Sequence, residues 1–166
     1  MTTATETPSR AFALPVPDTN PAPPLVMRLA RDFGAAWVEE TTVAAWSAGG
    51  GDRVVLLAGD PVRFPEGQDV AAVLPELMKS FPNRFQIAVV PRDNEDAVAR
   101  RYGSQRWPTL LFFRDGLYVT AIAGMQDWDV YLSGVAAALT MPPSRPPTIG
   151  IPVVSKTGAA SDSGCH

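Results

Sequence analysis

Residues 102–116 read Tyr-Gly-Ser-Gln-Arg-Trp-Pro-Thr-Leu-Leu-Phe-Phe-Arg-Asp-Gly, and this stretch decides the fold. Its second residue, Gly103, is typical of a helix end, and the apolar run 109–113 predicts a strand. The residues Arg114, Asp115 and Gly116 then favour a tight turn into a returning strand over 117–123. The stretch therefore predicts a helix followed by a β-hairpin.

Outward from this hairpin, helical and strand patterns alternate along the chain. Continuous apolar runs at 53–58 and 85–90 are typical of strands that are covered on both faces of a sheet, and 35–38 is a shorter candidate strand. Helical spacing of apolar residues predicts four main helices, at 25–33, 69–81, 91–102 and 127–139. We expect Asp69 and Asp93 to be N-caps and Pro75 to kink the second of these helices. The order of elements indicates an α/β fold.

Composition limits both the number of domains and the class of function. The chain has 166 residues, of which 46% are hydrophobic and 19% charged, enough for one domain with a real core. Fourteen basic and 17 acidic residues give a net charge of -3, which argues against nucleic acid as a partner. No apolar run reaches the ~18–20 residues of a membrane span, so no membrane insertion is expected.

Proline placement predicts the domain boundaries. Six of the 17 prolines lie in 1–24 and five in 142–152, and proline suits neither helix interiors nor sheet ladders. We expect a disordered Pro-rich segment at 1–24, a folded domain at 25–141 and a flexible Pro-rich tail at 142–166. The apolar run 149–154 is either a linker or a strand that docks on the domain or on a partner. No secretory signal pattern precedes the domain, which predicts a cytoplasmic protein.

Cysteine and histidine are nearly absent from the chain. The single cysteine is Cys165 and the single histidine is His166. A disulfide framework, a Cys-x-x-Cys pair, a thiolate-rich metal site and His-dependent catalysis are therefore all disfavoured. We expect a protein that is not an enzyme and that has no cofactor and no metal site.

The stretch 102–116 resembles the second half of thioredoxin, in which Tyr-Gly ends a helix and Pro-Thr begins the central strand. Gly124 falls where thioredoxins keep a glycine after the last strand. The resemblance implies a thioredoxin-like fold, with a central mixed sheet of four to five strands flanked by helices and a cis bond before Pro108. Thioredoxins place Cys-Gly-Pro-Cys after the strand that ends here at Ala58. This chain has Gly-Asp-Pro-Val-Arg-Phe-Pro-Glu at 59–66, which cannot exchange disulfides.

The whole of 25–141 is also similar to the HupG/HyaE family of hydrogenase-expression proteins, which are thioredoxin-like and lack the redox cysteines. The similar residues are Leu56-Leu57, Asp60-Pro61, Arg63, Pro65-Glu66, Glu76-Leu77, Phe81-Pro82, Gln86-Ile87-Ala88, Tyr102-Gly103 and Trp107-Pro108 to Leu110. The resemblance implies an accessory role in nickel–iron hydrogenase maturation. It implies binding of the small-subunit precursor through its twin-arginine signal peptide before export, and help with, or protection of, iron–sulfur cluster assembly. Other hydrogenase accessory proteins are further expected partners.

A thioredoxin fold without cysteines retains a groove beside its cis-proline, where an extended peptide can pair with the backbone. Seven residues are predicted to form this peptide-binding site, namely Asp60, Arg63, Phe64, Glu66, Trp107, Pro108 and Met125. The aromatic and sulfur-containing members would accept an apolar segment. The alternative is that Phe64 and Trp107 only fill the space left by the missing motif.

A guest segment with two arginines needs carboxylates, because Arg–carboxylate pairs fix orientation as well as charge. Asp60 and Glu66 are favoured because they lie in the replaced loop and have no evident capping role. Arg63 is expected to pair with one of them. The other candidate carboxylates lie at predicted helix starts, at Asp69, Asp93, Glu95 and Asp96.

Two other functions are compatible with the sequence. The first is a structural subunit of a hydrogenase maturation complex without signal-peptide specificity. The second is a monothiol redox enzyme that uses Cys165, which the absence of cysteine from the groove disfavours.

Overall fold

A computed structural model of the protein describes residues 22–148, so that the tail run 149–154, Cys165 and His166 lie outside the described residues. The helices are α1 (Pro24–Phe33), α2 (Val43–Ser47), α3 (Glu66–Ser80), α4 (Glu95–Arg101) and α5 (Trp128–Thr140). The strands are β1 (Ala36–Trp37), β2 (Asp52–Leu57), β3 (Phe85–Val89), β4 (Thr109–Arg114) and β5 (Leu117–Ala123). A 3₁₀ turn at Arg92–Asn94 precedes α4.

The strands form one mixed sheet in the order β1-β3-β2-β4-β5. β3 runs parallel to both β1 and β2, whereas β4 runs antiparallel to β2 and to β5. This arrangement confirms the predicted α/β fold with a mixed central sheet. Among the described residues, β5 is an edge strand that pairs only with β4.

Two hydrophobic layers cover the sheet. On one face, α1, α3 and α5 pack against residues such as Leu56 and Leu110. On the other face, α2 and α4 pack against residues such as Val55 and Leu111. The continuous apolar run of β2 is therefore buried on both sides, as its composition predicts.

The helix starts differ from the sequence-based expectations. α3 begins at Glu66, three residues before the predicted Asp69, and Pro65 is its N-cap residue. The fixed backbone of proline suits a helix start, which explains the earlier beginning. Asp93 lies in the 3₁₀ turn, and Asn94 is the N-cap residue of α4. The predictions of Asp69 and Asp93 as N-caps are therefore wrong, and both helices start without a side-chain cap.

The hairpin between β4 and β5 forms as predicted. Asp115 and Gly116 have φ of 50° and 82°, the left-handed pair that a tight two-residue hairpin turn requires. The carboxylate of Asp115 also accepts a hydrogen bond from the Gly51 N–H at 2.8 Å. In the part of the chain covered by the structure, no helix combines the length and the apolar character that crossing a membrane would require.

A candidate peptide-binding groove

The loop that follows β2 occupies the position of a thioredoxin redox motif, and Asp60 organises it. The Asp60 Oδ1 atom accepts hydrogen bonds from the backbone N–H groups of Val62 and Arg63 at 2.9 and 3.0 Å. The Asp60 carbonyl accepts a third from the Phe64 N–H at 2.7 Å. This is an Asx turn, so Asp60 has a structural role in the loop besides any contact with a guest. Aspartate followed by proline is a local pattern that predicts such a turn.

Phe64 and Trp107 stack above this loop. Their ring centroids are 5.8 Å apart with an interplanar angle of 24°. Gly59 lies directly beneath them, and a Cβ there would come within 2.8 Å of the Trp107 Cβ and 2.9 Å of the Phe64 ring. Gly59 also has a φ of +82°, which favours glycine. The two predicted aromatic residues therefore form one half-buried pair at the end of β2.

Trp107 joins this pair to the predicted cis bond, because the Trp107–Pro108 peptide bond is cis. Within residues 22–148, neither the N–H nor the C=O of Trp107 has a hydrogen-bond partner. The Pro108 carbonyl accepts a hydrogen bond from the Gly124 N–H at 2.7 Å, which places Met125 beside the proline. The Met125 side chain is 42% exposed. The groove thus combines apolar surface with backbone groups that have no partner in the described part of the chain.

The indole nitrogen of Trp107 is buried and has no hydrogen-bond partner among the described residues. A buried tryptophan N–H usually has a hydrogen-bond acceptor. The alternative that Trp107 only fills space does not explain why its N–H lacks an acceptor among the described residues. A cleft of about 380 Å³ lies next to Trp107, and its lining includes Asp96, Ser104 and Gln105. Asp96 is one of the candidate carboxylates at helix starts, and it lines this cleft together with Trp107 and Arg100.

Arg63 and Glu66 are not paired with each other. The Arg63 guanidinium lies over the Phe64 ring, 5.4 Å from its centroid. Among the ion pairs of residues 22–148, none joins Arg63 to Asp60 or Glu66, so the expected pairing is wrong. Glu66 is exposed in the first turn of α3, where a carboxylate is favourable for the helix dipole. Its oxygens have no partner in the described part of the chain and remain available to a guest.

Glu95 supports the loop from below, a role that sequence reasoning missed. Its side chain is only 2% exposed. Its carboxylate accepts hydrogen bonds from the Ala58 N–H at 2.7 Å and the Gly59 N–H at 3.0 Å, and it pairs with Arg92 at 3.0 Å. Arg92 also lies 3.9 Å from the Asp60 Oδ2. The spacing of Arg92 and Glu95 was the only sequence signal for this network.

Gly67 is a second missed residue. A Cβ on Gly67 would overlap the carbonyl oxygen of Ala58 and would lie 2.9 Å from the carbonyl carbon. The first turn of α3 therefore touches the end of β2 backbone to backbone. This contact sets the position at which the intervening loop, with Phe64, leaves the sheet.

The pKa values of the two carboxylates at the loop are expected to shift in opposite directions from their ordinary values. Burial raises the pKa of Glu95 above its ordinary 4.5, and this outweighs its bonds to Gly59, Ala58 and Arg92. The N–H groups of Arg63 and Val62 lower the pKa of Asp60 below its ordinary 3.8. Carboxyl-carbon NMR should therefore show Glu95 protonating above 4.5 and Asp60 below 3.8, with Glu95→Gln and Asp60→Asn assigning the signals.

These shifts also fix the sign of the pH dependence of stability. Folding raises the pKa of Glu95. Its titration therefore contributes fully to the free energy of unfolding below pH 4.5, and this contribution is lost as the pH rises through the folded-state pKa. The contribution of Asp60 is present above pH 3.8 and is lost as the pH falls through its lowered pKa. A Glu95 midpoint below 4.5 would show that its hydrogen bonds outweigh its burial.

The fold and the groove define a class. This is a thioredoxin-like protein in which an Asx-turn loop and an aromatic pair stand where a redox centre would lie. A solved structure of a mutant thioredoxin from Halobacterium salinarum NRC-1 is similar over 66% of this chain and 94% of its own, with 22% identity and a TM-score of 0.53. That similarity supports the fold alone.

The chain belongs to the HyaE family, because the family model "Hydrogenase-1 expression protein HyaE" matches residues 25–131. It is 53% identical over 162 residues to the hydrogenase expression/formation protein HoxO of Cupriavidus necator, covering 96% of this chain and 99% of that protein. It is 40% identical over 123 residues to HupG of Bradyrhizobium diazoefficiens, covering 74% and 82%. The expected family is confirmed, and with it an accessory role in hydrogenase maturation.

Proposed function

We propose that this protein is a chaperone, without catalytic activity, that binds the nickel–iron hydrogenase small-subunit precursor in the cytoplasm. It recognises the twin-arginine signal peptide of the precursor before export. Holding the precursor in this way would also assist or protect iron–sulfur cluster assembly, and other hydrogenase accessory proteins would join the complex. Family membership supports the maturation role. The groove supports the binding of an extended peptide.

The N–H and C=O of Trp107, which have no hydrogen-bond partner within residues 22–148, carry this proposal. An extended guest segment gains main-chain hydrogen bonds when it pairs with such groups, as in strand addition. Apolar and polarizable contacts surround these backbone groups. They come from the side chains of Phe64, Trp107 and the exposed Met125. A signal peptide contains an uninterrupted apolar region of the kind that such a surface accepts.

Carboxylates near the groove supply the complement to two arginines. Glu66 and Asp96 are exposed and have no ion-pair partner within residues 22–148. Asp60 is less free, since its Oδ1 holds the loop and its Oδ2 faces Arg92. We therefore assign the arginine contacts mainly to Glu66 and Asp96, with Asp60 organising the loop.

Calorimetric titration of the full chain tests this function. The titrants are the small-subunit precursor, the same subunit without its signal peptide, and the isolated signal peptide. Binding of the precursor and the isolated peptide, but not of the shortened subunit, is expected. Equal binding of both subunit forms would move the interface to the mature subunit and contradict the proposal. Binding of none, with stable co-purification of other accessory proteins, would favour a purely structural subunit.

Trp107→Ala is expected to weaken signal-peptide binding by about 30-fold, the effect typical of a central aromatic contact. Trp37→Ala is the matched control, because Trp37 is 41% exposed on the edge strand β1, which β3 separates from β2. Circular dichroism checks that both variants are folded. Equal affinities for the two variants would place the interface elsewhere.

Glu66→Gln with Asp96→Asn tests the charge contacts separately. The double variant is expected to weaken binding several-fold and to reduce its dependence on salt, because exposed charge pairs are screened by salt. Glu76→Gln with Asp129→Asn removes the same charge from a later turn of α3 and from α5, and it should leave both properties unchanged. An unchanged salt dependence in the Glu66/Asp96 variant would remove the arginine assignment.

A further inference from the structure

The chain does not leave the domain at the end of α5. The Arg114 guanidinium donates hydrogen bonds to the carbonyls of Ala138 at 3.0 Å and Met141 at 2.7 Å. Ser144 then bonds to β5, with its N–H donating to the Tyr118 carbonyl and its hydroxyl to the Val119 carbonyl, both at 2.8 Å. Residues 142–148 follow α5, and Ser144 attaches them to the edge of the sheet. We call them the strap.

The strap passes around the free edge of β5. α5 packs on one face of the sheet, whereas Gly103 follows α4 on the other face. The strap nevertheless reaches Gly103, because a Cβ at that glycine would overlap the carbonyl of Pro147. Ser144 at the β5 edge lies between these two points. The chain is thus carried from the α5 layer to the α4 layer.

At its end the strap enters a cleft of about 230 Å³ beside β5. Its lining includes Tyr102, Thr109, Tyr118, Ala121, Ala123 and Pro147. The lining is predominantly apolar, and two alanines leave room for side chains from outside. Beyond Ser144, the outer edge of β5 at 120–122 has no hydrogen-bond partner among the described residues. An open sheet edge beside an apolar cleft favours an added extended segment.

The next residues of the chain match this cleft. The sequence after Thr148 is Ile-Gly-Ile-Pro-Val-Val at 149–154, without a charge. It starts two residues after Pro147, which already lines the cleft. Six extended residues span about 20 Å, enough to follow the outer edge of β5 to its end. Proline within such a segment is compatible with an edge position.

We propose that residues 149–154 dock in this cleft as an extended segment against the outer edge of β5. The occupant is the chain itself, delivered by the strap. Arg106 also lines the cleft and is adjacent to Trp107. Ser104 and Gln105 line both this cleft and the cleft beside Trp107, so the docked segment would compete with a partner peptide that occupies the second cleft. The competition rests on the proposed function, whereas the docking does not.

Amide hydrogen exchange at residues 120–123 tests the docking. The full chain is compared with the chain ending at Thr148 and with Ile149→Asp/Ile151→Asp. We expect exchange about tenfold slower in the full chain than in either altered protein, because the docked segment covers the edge. Ser161→Asp/Ser163→Asp adds the same charge farther along and should exchange like the full chain. Equal rates in all four proteins would overturn the docking, as would protection lost on dilution, which would indicate a second copy.

Signal-peptide affinity tests the competition. The chain ending at Thr148 is expected to bind the isolated peptide several-fold more tightly than the full chain, and Ile149→Asp/Ile151→Asp should match it. Equal affinities would overturn the competition. Absence of binding in every protein would contradict the proposed function and the competition together, while the exchange comparison would still decide the docking.

Discussion

Replacing Gly67 by alanine is expected to lower the free energy of unfolding by about 3 kcal/mol or more. Helix propensity alone predicts the opposite, a stabilisation by alanine. In a helix this change ordinarily stabilises by roughly 0.5–1 kcal/mol, because alanine loses less backbone entropy. Here the new Cβ would overlap the carbonyl of Ala58. Neither backbone withdraws easily, since the Ala58 N–H is held by Glu95 and the Gly67 N–H by the Phe64 carbonyl.

Gly134→Ala provides the matched control in α5. Its Cβ would come within 2.8 Å of the Ile122 Cδ1 atom, the end of a flexible side chain that can rotate away. We expect its stability to stay within about 1 kcal/mol of the unchanged protein. Urea unfolding followed by circular dichroism measures both variants. A Gly67→Ala protein as stable as the parent would show that α3 and β2 do not meet through their backbones.

Replacing Glu95 by alanine is expected to lower the free energy of unfolding by about 3 kcal/mol, because the change removes only one side of a buried network. The N–H groups of Ala58 and Gly59 would lose their acceptor, and Arg92 would lose its closest carboxylate. Unpaired buried donors cost about 1–3 kcal/mol each, partly recovered when water enters. The burial that raises the pKa of Glu95 does not oppose this result, since deletion leaves the partners behind.

Glu76→Ala is the control for this change. Glu76 pairs with Lys79 at 2.8 Å on the exposed face of α3, and such pairs contribute little. We expect a change within about 0.5 kcal/mol. The loss of stability in Glu95→Gln should lie between those of Glu76→Ala and Glu95→Ala. Its amide oxygen still accepts hydrogen bonds from the backbone, but the negative charge is gone. A Glu95→Ala protein as stable as Glu76→Ala would contradict the structural role of the network.

The candidate site was only partly predictable. Phe64, Trp107 and Pro108 were found because the hairpin stretch and the replaced motif mark their positions. Asp60 was expected to contact a guest and to have no evident capping role, although aspartate followed by proline is a common turn former. Glu95 was considered only as one acid at a helix start, because nothing local shows that it lies under residues 58 and 59.

The amino-acid sequence by itself determined the order of elements, the hairpin and the exclusion of thiol chemistry from the groove. These properties depend on residue types within a few positions of one another. Only the tertiary structure decided that Gly67 touches Ala58, that Glu95 holds the end of β2, and that the strap reaches Gly103. Each of these contacts joins segments that are distant in the chain. Their burial and spacing arise when separate layers pack on one sheet, and no local pattern encodes that packing.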